Sequence, residues 1–247
     1  MSRTPENVNF PSEVEAIKGD LTQPESFAPA LKNVDALYLI GSTDKMDEEL
    51  MTSSNIITLA EKAGVKKVVL NSVYGDDHLK ETIENSSLQW SYIQAASFIS
   101  NALELNGWKE AINNHETIKT LNLHQKFAIV HEEDIAKVIV TILLEDGHNK
   151  KTYQINGGEA ISAAEQLDIL SRVLNTEIFY EEQTLETAIK EWKFEGATEE
   201  DIYFFVEMSN NPPEMGTHPL PTIKNLTGDT PKTFEQWAIE HSHLFKV

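Results

Sequence analysis

The sequence contains no cysteine and almost no arginine. Among 247 residues there are two arginines, Arg3 and Arg172. Without cysteine, the chain can form neither a disulfide framework nor a metal site with thiolate ligands. The arginine fork that binds phosphate in a bidentate manner is nearly unavailable. Any phosphate site must therefore rely on backbone amides or lysine.

Positive charge is scarce overall: the sequence has 40 acidic and 20 basic residues, which gives a formal net charge of −20. This balance excludes nucleic acid and anionic membrane as default partners, since both require a concentrated cationic surface. The opening residues lack the apolar run of a signal peptide, and no stretch approaches the ~20 apolar residues of a membrane span. We therefore expect a soluble, cytoplasmic protein without a metal site.

Proline is absent between Pro29 and Pro212, so the middle of the chain is predicted to be continuous regular structure. Short β-branched or apolar runs alternate there with segments of helical period, a pattern typical of βαβ units and a parallel sheet. The predicted strands are 14–17, 36–40, 66–73, 90–93 and 153–155. The predicted helices are 24–31, with Thr22 as N-cap, one carrying Met46 to Ala63, 78–86, 98–105, 132–144 and 162–174. From residue 184 the pattern is helical, interrupted by a proline-rich loop at 211–221.

The expected fold is α/β, with a mostly parallel sheet and a smaller, mainly helical C-terminal lobe. The sheet would occupy residues 1–150 and the smaller lobe residues 151–247.

Several short motifs occur in a recognisable order. They are Gly19–Thr22, Pro24–Phe27, Ala30-Leu31, Val34-Asp35, Ala60–Val69, Leu88–Ile93, Phe98 with Asn101, Asp134–Ala136, Thr227-Gly228 and Pro231–Phe234. In this order they resemble the NmrA-like proteins, an atypical group of short-chain dehydrogenase/reductases. The resemblance covers nearly the whole chain. It implies a Rossmann-like sheet, with residues 1–150 as the dinucleotide-binding type of domain and residues 151–247 as a smaller lobe that contributes to a substrate site.

The resemblance implies an NAD(P)H-dependent oxidoreductase acting on a small quinone-, azo- or imine-like molecule, with NADP(H) or NAD(H) as cofactor. It matches Arg3 to a residue that meets the 2′-phosphate, and Asp20 with Leu21 to the position along the adenine. Four further candidates end two predicted strands at the carboxyl edge, where open parallel sheets bind ligands. They are Gly41, Ser42, Asn71 and Ser72. No catalytic residue is identified.

The sequence departs from the family at its beginning and at one internal position. Family members open with a strand, a glycine-rich turn and a helix whose amides receive the pyrophosphate, whereas the first glycine here is Gly19. About one βαβ unit, roughly 30 residues, is therefore expected to be missing. Gln94-Ala95 replaces the usual Arg-Pro. These departures predict weak cofactor binding and leave three alternatives: an enzyme, a non-catalytic NAD(P)-sensing protein that acts through a partner protein, or a truncated inactive product.

Other candidate residues have ordinary structural interpretations. Tyr74 and Lys80 are six residues apart, not the four of a catalytic Tyr-x-x-x-Lys pair, so they would lie on opposite sides of a helix. His131 before three acidic residues is better interpreted as a helix start than as a zinc ligand. Asp20 can equally well cap a turn, and Arg3 can be a solvated residue at a frayed terminus.

The missing unit would also expose one strand of the sheet. In the strand order of a doubly wound fold, the missing strands would lie between 14–17 and 36–40. An unpaired apolar edge is prone to aggregation. We therefore expect either that 14–17 pairs directly with 36–40, or that a second copy of the chain covers this edge in a homodimer.

Overall fold

A computed structural model of the protein describes residues 1–41, 50, 52–73, 77–103 and 107–247. The strands in these residues are β1 (Ala36–Ile40), β2 (Lys67–Val73), β3 (Gln89–Ala95), β4 (Ile118–Thr120), β5 (Lys126–Phe127), β6 (Lys151–Ile155), β7 (Ile161–Ser162) and β8 (Tyr180–Glu182). The helices are α1 (Ser53–Ala63), α2 (Asp77–Glu84), α3 (Trp108–Asn113), α4 (Glu132–Leu144), α5 (Ala163–Leu174), α6 (Leu185–Glu195), α7 (Glu199–Asn210), α8 (Glu214–Thr217), α9 (Thr222–Thr227) and α10 (Phe234–His241).

The main sheet has four strands in the order β1-β2-β3-β6. β1 and β2 are parallel, with register from Ala36 opposite Lys67 to Ile40 opposite Asn71. Two small sheets add the parallel pair β4-β8 and the antiparallel pair β5-β7. The expected α/β, Rossmann-like class is thus confirmed.

The chain forms two compact units, each with its own apolar core. The first comprises Met1–Gln94 and Ile139–Tyr153, and the second comprises Ala95–Val138 and Gln154–Val247. In the first unit, the core lies between β1–β3 and helix α1, with Phe27 and Leu31 added from the segment before β1. In the second, α5 and α10 pack together around Leu167, Leu170 and Trp237. The domain boundary predicted at residue 150 stays a prediction.

Helix ends follow local sequence signals closely. α1 ends at Gly64, whose φ of 87° is the left-handed conformation that a residue with a side chain adopts only at a cost. α5, α7 and α10 each begin with a reciprocal capping box, formed by Ser162 with Glu165, Thr198 with Asp201, and Thr233 with Gln236. The predicted helix at 132–144 is confirmed as α4, and the one at 162–174 as α5.

The strand predicted at 14–17 is wrong. These residues have no strand structure, and only Lys18 pairs, in an isolated parallel bridge with Ser2. The N–H of Ser2 donates to Ile17 O at 2.9 Å, and the N–H of Gly19 donates to Ser2 O at 3.0 Å. A strand needs a neighbouring ladder, and this segment meets only a short N-terminal stretch. Direct pairing of 14–17 with 36–40 is therefore also wrong, because β2 is the sole neighbour of β1 among the described strands.

Two predicted helices take a tighter form. The segment 24–31 forms two 3-10 helices, Pro24–Ser26 and Ala28–Leu31, and the first is preceded by Gln23, not by Thr22. Residues Ile99–Ala102 form another 3-10 helix. Phe98 lies outside that helix because it is extended and bridges to Val130.

Candidate cofactor site at the ends of β1 and β2

The Gly19–Thr22 turn is built around the side chain of Asp20. Asp20 Oδ1 accepts hydrogen bonds from the backbone N–H of Thr22 at 2.8 Å and from its hydroxyl at 2.7 Å. This is an Asx turn, the arrangement that short carboxylates favour. The hydroxyl of Thr52 donates to the carbonyl of Leu21. Thr52 directly precedes α1, the helix that connects β1 to β2. This hydrogen bond therefore ties the turn to the start of α1.

The ends of β1 and β2 are joined directly. The N–H of Gly41 donates to Asn71 O at 2.8 Å, and Asn71 Nδ2 donates to the hydroxyl of Tyr38 at 3.2 Å. Burial raises the pKa of Tyr38, and the hydrogen bond from Asn71 partly opposes this shift. Ser72 is buried beside them. Gly41, Asn71 and Ser72 are therefore brought together as expected from their positions, while Ser42 lies outside the described residues.

The carboxamide of Asn71 has a buried oxygen, Oδ1, with no hydrogen-bond partner among the described residues. A buried acceptor without a partner costs free energy, about 1–3 kcal/mol. Such an atom at the carboxyl edge of a parallel sheet can accept a hydrogen bond from a ligand hydroxyl or amide. Tyr38 and this orientation of Asn71 are features that sequence reasoning missed. The one signal for Tyr38 was a hydroxyl in an otherwise aliphatic strand.

Arg3 directly follows Ser2, whose backbone makes two hydrogen bonds, one to Ile17 and one to Gly19. Its own side chain is exposed. The two hydrogen bonds place Arg3 near the start of the Asp20 turn.

The described residues do not fit the pyrophosphate part of a dinucleotide. Within residues 1–35 the structure has 3-10 turns and isolated bridges but no strand–turn–helix unit. Gly19 cannot replace the glycine-rich turn, because a Cβ there would lie 2.6 Å from Met1 Sδ and 2.7 Å from Phe27 Cβ. That space is filled by protein, so Gly19 permits close packing and not the approach of a phosphate.

The remaining candidates have structural roles. Lys80 lies 3.7 Å from Glu84 in an i,i+4 ion pair, while Tyr74 lies outside the described residues. The Nδ1 of His131 accepts a hydrogen bond from the N–H of Glu133 at 3.1 Å, which caps the start of α4. His241 stacks on Trp237 with ring centroids 4.8 Å apart.

The fold is that of an α/β chain with a parallel sheet, and its family is shown by comparison with known proteins. Residues 1–146 match the family model described as NAD(P)H-binding, and the chain belongs to this family. The resemblance to NmrA-like proteins is confirmed. In the described residues no helix is long and apolar enough to cross a membrane.

Among curated proteins, the chain is 24% identical to (4-alkanoyl-5-oxo-2,5-dihydrofuran-3-yl)methyl phosphate reductase of Streptomyces griseus, over 99% of this chain and 89% of that protein. It is 26% identical to NAD(P)H azoreductase of Xenophilus azovorans, over 94% and 84%. Its fold is similar to that of an NADPH-dependent quinone oxidoreductase of Escherichia coli solved with NADPH, with a TM-score of 0.74 and 19% identity over 92% of this chain and 82% of that one.

Proposed function

We propose that this chain is an NAD(P)H-dependent oxidoreductase that reduces quinone-, azo- or imine-type compounds. The observation that carries the proposal is the NAD(P)H-binding family match over residues 1–146, together with polar groups gathered at the carboxyl ends of β1 and β2. The similarity to reductases named for an azo compound and a quinone supports the substrate class. When bound, the nicotinamide cofactor supplies the hydride.

The role proposed for the chain's own residues is binding and orientation. Asp20 and Leu21 would lie along the adenosine, and Arg3 would favour a 2′-phosphate. Gly41 would allow close backbone approach of a ligand, and Asn71 Oδ1 is a buried acceptor without a partner in the part of the chain that the structure describes. Because the described residues offer no amide cradle for the pyrophosphate, we expect this chain to bind its dinucleotide weakly.

The first test is titration calorimetry of the 247-residue chain with NADPH. We expect a dissociation constant weaker than about 1 μM, which corresponds to roughly −8 kcal/mol. The two phosphates of the pyrophosphate must approach a chain of net charge −20 without oriented amides to offset the repulsion. A constant at or below about 1 μM would show that another element replaces the glycine-rich turn.

The second test is turnover, followed as NADPH oxidation with a quinone and an azo dye as acceptors. Because we expect weak cofactor binding, the rate should still rise with NADPH concentration in the range where a tight-binding reductase is already saturated. Asp20→Asn keeps the acceptor of the Asx turn but removes the charge, and Ser72→Ala removes one buried hydroxyl. Both should change the KM for NADPH. Unchanged KM in both would show that these residues only shape a turn and a strand end.

A non-catalytic NAD(P)-sensing role is the second candidate. It is favoured by the structural roles of two residues considered for chemistry, since Lys80 is paired with Glu84 and His131 caps the start of α4. Measurable NADPH binding without oxidation in the presence of any acceptor would support it. If the chain neither binds NADPH nor oxidises it, both candidate functions are wrong.

A further inference from the structure

The helices α6 and α7 form a hairpin in the second unit. α6 ends at Gly196, which adopts the left-handed conformation, and Thr198 two residues later is the N-cap of α7. The rings of Trp192 and Phe205 meet edge to face with centroids 5.2 Å apart, and Ile202 is buried. These contacts fix which side of α7 is turned toward α6.

The opposite side of α7 presents two aromatic side chains to solvent. One stripe along this side follows the spacing i, i+3, i+4 and i+7 of a helix face, and it consists of Glu200, Tyr203, Phe204 and Glu207. Within this α7 stripe, Tyr203 is 69% exposed and Phe204 is 47% exposed. Aromatic side chains are enriched at protein interfaces, and neighbouring ones left in water are typical of an interaction surface.

The hairpin around the α7 stripe is strongly negative. Between residues 181 and 210 the sequence has nine acidic and two basic residues. The two basic ones, Lys190 and Lys193, are each held by a glutamate at 2.7 Å. Glu207 accepts a hydrogen bond from the carboxamide of Asn211, which carries no charge. The aromatic side chains of the stripe are therefore surrounded by carboxylates whose charge the hairpin itself does not balance.

We propose that the α7 stripe is a docking surface for a basic amphipathic helix of a partner protein. Apolar side chains of that helix cover Tyr203 and Phe204 at the centre of the stripe. Its lysine or arginine side chains pair with Glu200 and Glu207 at the two ends, and a cation can also lie favourably over an aromatic face. Both helices repeat every 3.6 residues, so a helix that carries basic and apolar side chains on one face matches the stripe in spacing.

Charge distinguishes this occupant from the others that an exposed aromatic surface could accept. A second copy of the chain also carries a net charge of −20, so its approach is opposed by repulsion. Anionic membranes and nucleic acids are repelled for the same reason. A cationic helix is attracted instead, and salt is expected to weaken its binding because ions screen charges at an exposed surface.

The first test measures binding of a probe peptide to the 247-residue chain by fluorescence anisotropy. The probe is a fluorescein-labelled peptide of about 14 residues, roughly 21 Å long as a helix, with one face of leucines flanked by lysines. A scrambled peptide of the same composition controls for non-specific attraction to an acidic chain. We expect the amphipathic peptide to bind at least about tenfold more tightly. Equal affinity for both peptides, or no binding of the amphipathic one at low salt, would overturn the proposal.

Substitutions on the α7 stripe test where the peptide binds. Tyr203→Ser and Phe204→Ser should each weaken binding by about fivefold or more, because an apolar contact is lost. Ile239→Ser is the matched control, since Ile239 is 59% exposed on α10, and it should leave the affinity unchanged. Circular dichroism checks that the variants keep their fold. Unchanged affinity in both stripe variants, or an equal loss in Ile239→Ser, contradicts docking on the stripe.

The electrostatic contribution is tested separately. Glu200→Gln removes one carboxylate of the stripe, whereas Glu13→Gln removes one exposed carboxylate of the first unit. At low salt, Glu200→Gln should weaken peptide binding clearly more than Glu13→Gln, and the difference should shrink as salt is added. Equal effects would mean that the net charge of the chain, and not the stripe, attracts the peptide, and the proposal would then be wrong.

The absence of cysteine allows the docking position to be observed directly. Asn210→Cys introduces one thiol for an environment-sensitive dye, seven residues after Tyr203 and therefore on the same side of α7. Thr230→Cys, at an exposed position before α10, carries the same dye as a control. We expect the amphipathic peptide to shift the emission of the dye at position 210 and not at position 230. Equal shifts at both positions, or none at 210, would refute this location.

Discussion

Gly157 occupies a position where a neighbouring backbone leaves no room for a side chain. Its N–H donates to Ala128 O at 3.1 Å, and a Cβ built on Gly157 would lie 2.0 Å from the carbonyl oxygen of Ile129. That oxygen belongs to the backbone, so the clash can be relieved only by moving the segment around Ala128. The φ angle of Gly157 is not positive, so glycine is not needed here for a left-handed backbone conformation. It is required because two chain segments approach each other closely.

Gly157→Ala is therefore expected to destabilise the protein by about 1–3 kcal/mol, the usual cost of inserting a methyl group into a closed space. For a chain of this size, each kcal/mol lowers Tm by roughly 2–4 °C. Thermal unfolding followed by circular dichroism measures the change. Gly216→Ala is the matched control, because the nearest atom to its Cβ would be Pro213 Cγ at 3.7 Å. Similar losses for both variants would contradict the steric explanation.

At the scale of elements, Lys67 connects β2 to the end of α4. Its Nζ donates to the carbonyls of Ile142 at 3.1 Å, Leu143 at 3.2 Å and Glu145 at 2.7 Å. The last carbonyls of a helix have no partner within the helix and carry its negative partial charge. One ammonium group thus satisfies three of them.

Lys67→Met keeps most of the aliphatic stem and removes the cap. We expect a loss of about 1–3 kcal/mol, because charge-assisted hydrogen bonds to helix carbonyls are lost. Lys66→Met is a control one residue away: Lys66 pairs with Asp35 and both side chains are largely exposed, so the change should be small. Chemical denaturation of both variants gives the comparison. The capping role would be refuted if Lys66→Met proved the more costly substitution.

The elements predicted correctly from sequence are those with strong local signals. α4 and α5 have a sustained helical period, and β1 and β2 are apolar runs ended by a glycine or polar residues. The failures involve short segments whose structure depends on distant partners. β8 forms because Tyr180–Glu182 pairs with Ile118–Thr120, and neither run is apolar enough to indicate a strand. Conversely, 14–17 contains three apolar residues, Val14, Ala16 and Ile17, but meets no sheet.

For the candidate site, the sequence predicts which residues end the strands but not how their side chains contact each other. Gly41, Asn71 and Ser72 follow from the rule that ligands bind at the carboxyl ends of parallel strands. The link from Asn71 to Tyr38 depends on register, which sequence spacing does not give. The filled space at Gly19 was equally inaccessible, since it arises from the packing of Met1 and Phe27.

At the scale of the whole molecule, several carboxylates are held in their charged form by specific partners. The backbone N–H and hydroxyl of Ser87 lower the pKa of Glu61. Lys126 and the backbone of Ser162 lower the pKa of Glu165, and Lys232 lowers that of Glu240. A lowered pKa in the folded state means that the charged form stabilises the fold, and that this contribution is lost as pH falls through the lowered value.

We therefore expect stability to change little between pH 7 and pH 5 and to fall steeply below about 4.5, the ordinary value for glutamate. Between pH 7 and pH 5 the declining net repulsion slightly favours the fold, whereas below that range protonation removes the specific hydrogen bonds. Urea unfolding at a series of pH values measures the curve. Glu61→Gln should flatten its acid branch and Ser87→Ala should flatten it less. A stability maximum below pH 4 would contradict this explanation.

The discontinuous first unit has a consequence for the order of folding during synthesis. Met1–Gln94 leaves the ribosome before Ile139–Tyr153, yet both stretches belong to this unit, and β3 has β6 as its outer neighbour. The nascent sheet therefore has β3 as an open edge until the intervening segment has been translated. Contacts between such distant stretches slow folding and prolong the exposure of apolar surface. The nascent chain is thus a more demanding client for chaperones than one whose units are continuous in sequence.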